Sequence, residues 1–341
     1  MRKPAVTVGA VCAALVAFVF AAAHAPRSAQ SPPSVPTAQS VAGLHVSGTN
    51  IVEGNGNSFV MRGVSYPYAW HKNQNQSLAD IKKLGTNTVR VVLDSSIGAG
   101  EVSDVISTCK QNRLICVLEN HDTTGYGDSG SAITLDQAAD YWVGLKNVLA
   151  GQESYVVINI GNEPYGNNSA SAWTDATSGA IKKLRDAGLK HLIMVDGPGW
   201  GQDWSGVMRN TASSVFASDP QRNTVFSVHM YGVYGTASKI TDYYDAFQSA
   251  GLPLVVGEFG WKHTDGDVDE DAIINEARSR GIGYLGWSWS GNSGGVEYLD
   301  MATNFNPDQL TSWGQRLFNG ANGIRATSKE ATVFGGRVAV E

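Results

Sequence analysis

Two stretches of the chain end on a carboxylate at the point where an apolar run breaks off. In Tyr155-Val-Val-Ile-Asn-Ile-Gly-Asn-Glu163-Pro164 the β-branched residues read as a strand buried on both faces. Gly161 frees the backbone to turn and Pro164 cannot continue a ladder, so Asn162 and Glu163 are left at the strand's carboxyl end. The run Leu254-Val-Val-Gly-Glu-Phe-Gly260 closes the same way on Glu258. In parallel α/β proteins that end carries the chemistry, so Glu163 and Glu258 are candidates for acid, base or nucleophile.

The elements that must position this pair alternate strand and helix eight times. Strand-like runs are Phe59 to Ser65, Thr88 to Leu93, Leu114 to Glu119, Tyr155 to Ile160, His191 to Asp196, Val225 to His229, Pro253 to Glu258 and Gly283 to Trp289. Between them lie helix-period segments, among them Leu78 to Gly85, Leu135 to Leu149 with Thr134 as N-cap, Ala180 to Gly188 and Asp269 to Gly281. Eight such units, with no Gly-x-Gly-x-x-Gly after the first strand, predict an α/β fold of the closed (β/α)8 TIM barrel type rather than an open sheet. Leu44 to Ile51 and the turn Glu53-Gly-Asn-Gly-Asn57 predict a short N-terminal β-hairpin against the barrel floor.

The carboxyl ends of these strands gather polar and aromatic residues on one rim. In order they are Tyr66, Tyr68 and Trp70-His71; Arg90; Glu119-Asn-His121-Asp122; Asn162-Glu163; Trp200 and Trp204; His229 and Tyr231; Glu258 and Trp261; Trp287 and Trp289. Trp142, Trp173 and Trp313 fall on helices and read as core. Exposed indoles stack on the apolar face of a neutral sugar ring, while Asn, His and carboxylates bind its hydroxyls. A phosphate or nucleotide would call for basic loops, and the chain has none.

Several of these stretches resemble one family. Val157 to Gly166, Val195-Asp-Gly-Pro-Gly-Trp-Gly-Gln-Asp203, Phe226-Ser-Val-His-Met-Tyr231, Val256 to Gly260, Trp287-Ser-Trp-Ser-Gly-Asn292 and Thr134-Leu-Asp-Gln-Ala-Ala-Asp-Tyr-Trp142 are similar to the bacterial β-mannanases of glycoside hydrolase family five, in the expected order from about Gly43 to Phe334. The Asn-Glu and Gly-Glu-Phe-Gly elements are shared across many retaining barrel glycosidases; the stretches around Thr134, Asp196 and Trp287 are what point to mannan. The resemblance implies a retaining endo-1,4-β-mannanase acting on β-mannan polysaccharide, with Glu163 as acid/base and Glu258 as nucleophile. It further implies Arg90, His121, Asn162, His229, Tyr231 and Trp287 in the sugar site, to which the rim reading adds Trp70, Trp200, Trp261 and Trp289. No cofactor and no metal are implied. Ser65-Tyr-Pro-Tyr-Ala-Trp70 departs from the His-rich pattern the family carries after its first strand, and Trp261 stands where other aromatics or His occur. Both positions bear on outer subsites.

The remaining features bound the reading. Arg2 and Lys3 followed by the apolar run Ala10 to Ala23 predict a secretory signal within residues 1–25, and proline-rich 26–41 a disordered spacer before one catalytic domain over 42–341. The protein is therefore expected outside the cell, as a monomer. The formal charge of −6, two units more negative without Arg2 and Lys3, excludes nucleic acid and anionic membrane as partners. Cys109 and Cys116 form either a disulfide or two buried thiols. Arg90 either pairs with a barrel carboxylate for structure or keeps Glu258 ionised, and His121 with Asp122 either belongs to the site or braces a loop. Asp265-Gly-Asp-Val-Asp-Glu-Asp271 has Glu270 where a calcium loop needs glycine and reads as acids at a helix start. Competing functions are a cellulase of the same family, a metal-dependent barrel hydrolase using Glu119, His121, His229, Glu258 and His263, and a non-catalytic glycan-binding barrel.

Overall fold

The computed structural model describes residues 43–335. The predicted signal and spacer lie outside them. The described chain opens with an antiparallel pair, β1 (His45–Ser47) and β2 (Asn50–Val52). There follow β3 (Arg62–Tyr66), β4 (Thr88–Leu93), β5 (Ile115–Asn120), β6 (Val156–Asn159), β7 (Ile193–Asp196), β8 (Thr224–Met230) and β9 (Leu254–Phe259). A small hairpin of β10 (Lys262–His263) and β11 (Gly266–Asp267) precedes β12 (Gly283–Gly286). The parallel strands close into a barrel in the order β12-β3-β4-β5-β6-β7-β8-β9. The eight-unit reading therefore holds, with strand ends displaced by a few residues.

The principal helices are α1 (Ser77–Lys83), α2 (Ala99–Gln111), α3 (Leu135–Gly144), α4 (Lys146–Leu149), α5 (Trp173–Asp186), α6 (Val207–Ser218), α7 (Ala237–Ser249), α8 (Glu270–Arg280), α9 (Ser312–Asn319) and α10 (Ile324–Thr327). Thr134 caps α3 as predicted, in a reciprocal box: its hydroxyl accepts from Gln137 N (3.1 Å) and the Gln137 side chain accepts from Thr134 N (2.9 Å). Asp269 caps α8, accepting from Ala272 N, so the acidic run does serve a helix start.

Strand alternation sorts side chains into two shells. Val89, Val91, Cys116, Leu118, Val156, Ile158, Ile193 and Val195 pack outward against the helices. Inside, the lower tier is apolar: Met61, Ile115, Val117, Val157, Met194, Val225, Val255 and Leu285 meet Leu44, Ile51 and Phe59 from the N-terminal segment. The hairpin thus plugs the barrel floor, but its reversal is at Gly48-Thr49; Glu53 to Asn57 makes a second turn that returns the chain to Phe59. Gly48 takes the left-handed φ of 61° that the first reversal needs, which is why the chain folds back there. Cys109 and Cys116 are free, buried and adjacent, with sulfurs 2.9 Å apart.

Removing the hydroxyl that closes the α3 capping box should cost about 1 kcal/mol, or ~2 °C in Tm for a domain of this size. Thr134→Ala is expected to melt lower by that amount in calorimetry, and an unchanged Tm would show that the box contributes nothing.

Candidate active site

Above the apolar tier the barrel interior turns polar. Arg90 from β4 is wholly buried there. Its Nε donates to Asn159 Oδ1 (2.9 Å), Nη1 to Glu258 Oε1 (2.7 Å), and Nη2 to Asn162 Oδ1 (2.7 Å) and Asp196 Oδ2 (3.2 Å). Glu119 Oε2 stands 3.7 Å from Nη1. One guanidinium therefore orders groups from β5, β6, β7 and β9. Both sequence alternatives for Arg90 are realised at once, since it pairs with structural acids and also clamps Glu258.

His229 from β8 is equally buried and links the two candidate carboxylates. Its Nδ1 lies 2.8 Å from Glu163 Oε1 and 3.6 Å from Glu258 Oε2, and its Nε2 lies 3.2 Å from Asp196 Oδ2. A register shift makes this possible. Val228 pairs with Val256 but His229 pairs with Glu258, so Gly257 is bulged. A Cβ on Gly257 would sit 2.0 Å from Ser227 Oγ, so a side chain there would force the Ser227 hydroxyl aside.

Burial alone would push His229 down, but the carboxylates of Glu258 and Asp196 overcome it and hold the imidazole up at about 10. Burial likewise opposes ionisation of Asp196, yet the His229 and Arg90 charges hold it at about 2. For Glu258 burial wins, with the Glu163 charge adding to it, and its carboxyl lies above the usual range although His229 and Arg90 oppose the shift. The Tyr231 hydroxyl is driven well up by burial and by Glu258, so it stays protonated and donates to Glu258 Oε2 (2.9 Å).

Glu163 leaves β6 through the turn at Gly161, where a Cβ would strike the Thr123 side chain at 2.5 Å. It adopts a φ of 40°, a left-handed conformation rare for a side chain of this size. Asn162 beside it is fixed at both ends, its Oδ1 on Arg90 and its Nδ2 donating to Thr124 Oγ1 (3.0 Å). One amide N–H remains for the cleft.

The three helical tryptophans predicted as core are buried, and each also braces this tier. Trp142 Nε1 donates to Ile160 O (2.8 Å), Trp173 Nε1 to Asp196 O (2.7 Å) and Trp313 Nε1 to Trp287 O (2.8 Å). Each bond ties a helix to a strand end that delivers a site residue.

Over this floor lies a cleft of about 1060 Å³, lined by Glu163, Glu258, Asn162, Tyr231, His121 and Trp287 at its centre. Trp70 and Trp204 are the exposed large hydrophobic side chains among the described residues, both 56% exposed, and both line the cleft with Trp200. His121 bonds Glu119 (3.1 Å) and stacks at 6.0 Å on Trp287, whereas Asp122 braces a loop by accepting from Ser95 N (2.8 Å).

Four of the expected sugar-site residues are placed differently. Arg90 and His229 lie beneath the carboxylates and do not line the cleft, because their inward-facing strand positions are roofed by the acids they bind. Trp289 is fully buried and packs edge-on against Phe318. The strand ends at Gly286, so the alternation that would have put Trp287 and Trp289 on one face no longer applies. Trp261 enters the β10–β11 hairpin, donates to Tyr298 O (3.0 Å) and lies under the Lys262 ammonium, outside the cleft lining.

The sequence reading missed Asn159, a lone polar residue inside an apolar strand run, Asp196, the polar residue on which the run Ile193–Asp196 ends, and the Asn167, Gln202 and Asn292 that line the cleft. The metal set of Glu119, His121, His229, Glu258 and His263 does not form: among the described residues the converging group is Glu163, His229 and Glu258, with ligand atoms within 4.8 Å of one another.

The sequence that builds this cleft and barrel matches the family Cellulase (glycosyl hydrolase family 5) over residues 52–293. The chain belongs to glycoside hydrolase family five. This family member is 58% identical to the mannan endo-1,4-beta-mannosidase of Streptomyces lividans over 98% of its own length and 87% of that protein. It superposes on the β-mannanase from Thermomonospora fusca with a TM-score of 0.85 and 58% identity, covering 86% of this chain and 100% of that one. The mannohexaose complex of the same Thermomonospora fusca enzyme gives a TM-score of 0.84 at 57% identity, with the same coverage.

The folded-state pKa of His229 lies above its unfolded value, so its charge contributes stability that is fully present below about 6.5 and is lost as pH rises through about 10. The difference in unfolding free energy between the native protein and His229→Gln should therefore narrow steadily across that window in denaturant titrations. A difference constant with pH would mean that His229 is neutral in the fold.

Proposed function

We propose that this glycoside hydrolase is a secreted endo-1,4-β-mannanase that works by retaining double displacement, with Glu163 as acid/base and Glu258 as nucleophile. The observation that carries the reading is the carboxylate pair. An oxygen of each lies within 4.8 Å of an oxygen of the other, so both carboxylates can reach a single glycosidic bond, as double displacement requires. Only Glu258 is gripped by both a guanidinium and a phenol, which suits the group that must attack as an anion.

In this mechanism Glu258 bonds to the anomeric carbon while Glu163 protonates the departing glycosidic oxygen. Glu163 then takes a proton from the water that displaces Glu258, and the sugar leaves with its configuration retained. The free N–H of Asn162 faces the sugar 2-hydroxyl, where a bond that tightens in the oxocarbenium-like state lowers the barrier. Trp287 offers its indole face as the floor for the reacting ring.

Mannan is the substrate because the relatives above 50% identity carry mannanase names and two of them hold mannohexaose. The name of the matched family, Cellulase, favours a second reading, an endo-β-1,4-glucanase. The open cleft, with exposed tryptophans at both ends, suits a chain lying across the rim and hence internal cleavage. Secretion rests on Arg2, Lys3 and the apolar run behind them. No cofactor is required, and the enzyme acts as a monomer.

Two measurements test this. On mannan the viscosity should fall well before mannose monomer appears, and carboxymethyl cellulose should be turned over far more slowly; monomer released first, or a preference for the cellulose, overturns the assignment. Glu163→Ala should be rescued by azide to a β-glycosyl azide on an activated aryl glycoside, and Glu258→Ala should be inactive until azide yields the α-azide. Exchanged anomers would reverse the two roles, and α-configured product from the unmutated enzyme would refute retention.

A further inference from the structure

Asp128 lies in the loop after β5, is exposed, and does not line the cleft, yet three donors from two other loops converge on it. Its Oδ2 accepts from Asn167 N (2.7 Å) and Trp200 Nε1 (3.2 Å), and its Oδ1 from Asn168 N (3.1 Å). The Asn167 side chain in turn accepts from Trp204 Nε1 (2.7 Å). Both tryptophans of this wall therefore have their indole N–H groups tied, directly or through one residue, to a single carboxylate. The glycines around it leave the space such packing needs. A Cβ on Gly166 would meet Asp128 Oδ2 at 2.4 Å, and one on Gly125 would meet the Trp200 ring at 2.3 Å. Trp200 itself holds a φ of 54°, a conformation that its surroundings must impose. The donors hold the Asp128 carboxyl below the usual range, the Asn167 amide first among them.

The topology says which part of a substrate this wall meets. Glu163, Asn167, Trp200 and Trp204 follow β6 and β7, while Trp287 and Trp70 follow β12 and β3 on the opposite side of the barrel. A general acid must sit on the leaving-group side of the bond it cleaves. From Glu258 the chain of sugars therefore runs past Glu163 onto Trp200 and Trp204.

We propose that Asp128 is a positioning residue that presents Trp200 and Trp204 to the sugar units on the leaving-group side of the scissile bond, and so sets the preference for sugar leaving groups. This rests on the assignment of Glu163 as the acid. Asp128 touches no substrate and acts through the indoles it orients.

The test compares mannohexaose with a 2,4-dinitrophenyl β-mannotrioside, whose leaving group places no sugar on that wall. Asp128→Ala should raise KM for mannohexaose roughly tenfold while KM and kcat for the aryl substrate stay within about twofold. Asp128→Asn, which keeps one acceptor oxygen, should fall between. Where Asp128→Ala melts early, Asp128→Asn decides the matter by the same split between the two substrates, with a smaller rise in KM for mannohexaose. Equal losses on both substrates, no loss on either, or a KM effect on the aryl substrate alone would each overturn the proposal. Those outcomes are separate from failure of the mannanase reading, which the unmutated enzyme would reveal by not cleaving mannohexaose at all.

Discussion

The site depends on one buried cation. Arg90 lies where no water reaches, and an unpaired guanidinium there would cost far more than a domain's net stability. It is stable because Glu119, Asp196 and Glu258 surround it, and the same acids drive its pKa above the usual value against the effect of burial. The dependence is mutual. Without Arg90 three acids would share the barrel interior with His229 and His121 as their remaining partners, and the oxygen of Asn162 would lose the donor that turns its amide toward the cleft. Such a network is weak evidence for stability, and its value is that it allows one arrangement of the two carboxylates.

The barrel supplies this network with a boundary. Below it the hairpin, Phe59 and the lower side chains of the strands make a dry plug, so the charges cannot be solvated from the floor. Above it Glu258, Asn162 and Tyr231 form the roof, and they are the parts that face the cleft. Around it Trp142, Trp173 and Trp313 span the gap between helices and strand ends, each using its indole N–H on a carbonyl that the parallel ladder leaves free. Residues that look like filler on the helices thereby limit the movement of the site.

The cleft is built from less regular material. Its ends are loops after opposite strands, and their shape is kept by glycines that admit close approach and by side-chain acceptors such as Asp128. Rigid strand ends fix the reacting groups, and loops knitted to one another fix the surfaces on which further sugar units rest. That division lets the length and kind of chain accepted vary without disturbing the carboxylates.

Much of this was legible in the chain. Apolar runs broken by Gly and Pro, alternating with helix-period segments, determine eight strands and hence a closed barrel, because strands buried on both faces leave no polar alternation to place elsewhere. The polar residues at which those runs stop identify Glu163 and Glu258, since a rigid parallel strand delivers its last side chains to one rim. Sequence does not say which way a side chain faces once the strand has ended. Trp287 and Trp289 share a parity and have opposite fates, one facing the cleft and the other in the core, because the strand stops at Gly286. Nor does it say which polar side chain lies above and which below: Arg90 and His229 are covered by the acids they bind, and the bulge at Gly257 that brings His229 beside Glu258 exists only when two strands are paired. Local pattern fixes periodicity, and periodicity fixes elements. Depth, register and the meeting of loops far apart in the chain, as at Asp128, Asn167 and Trp200, are settled by packing, which no single stretch contains.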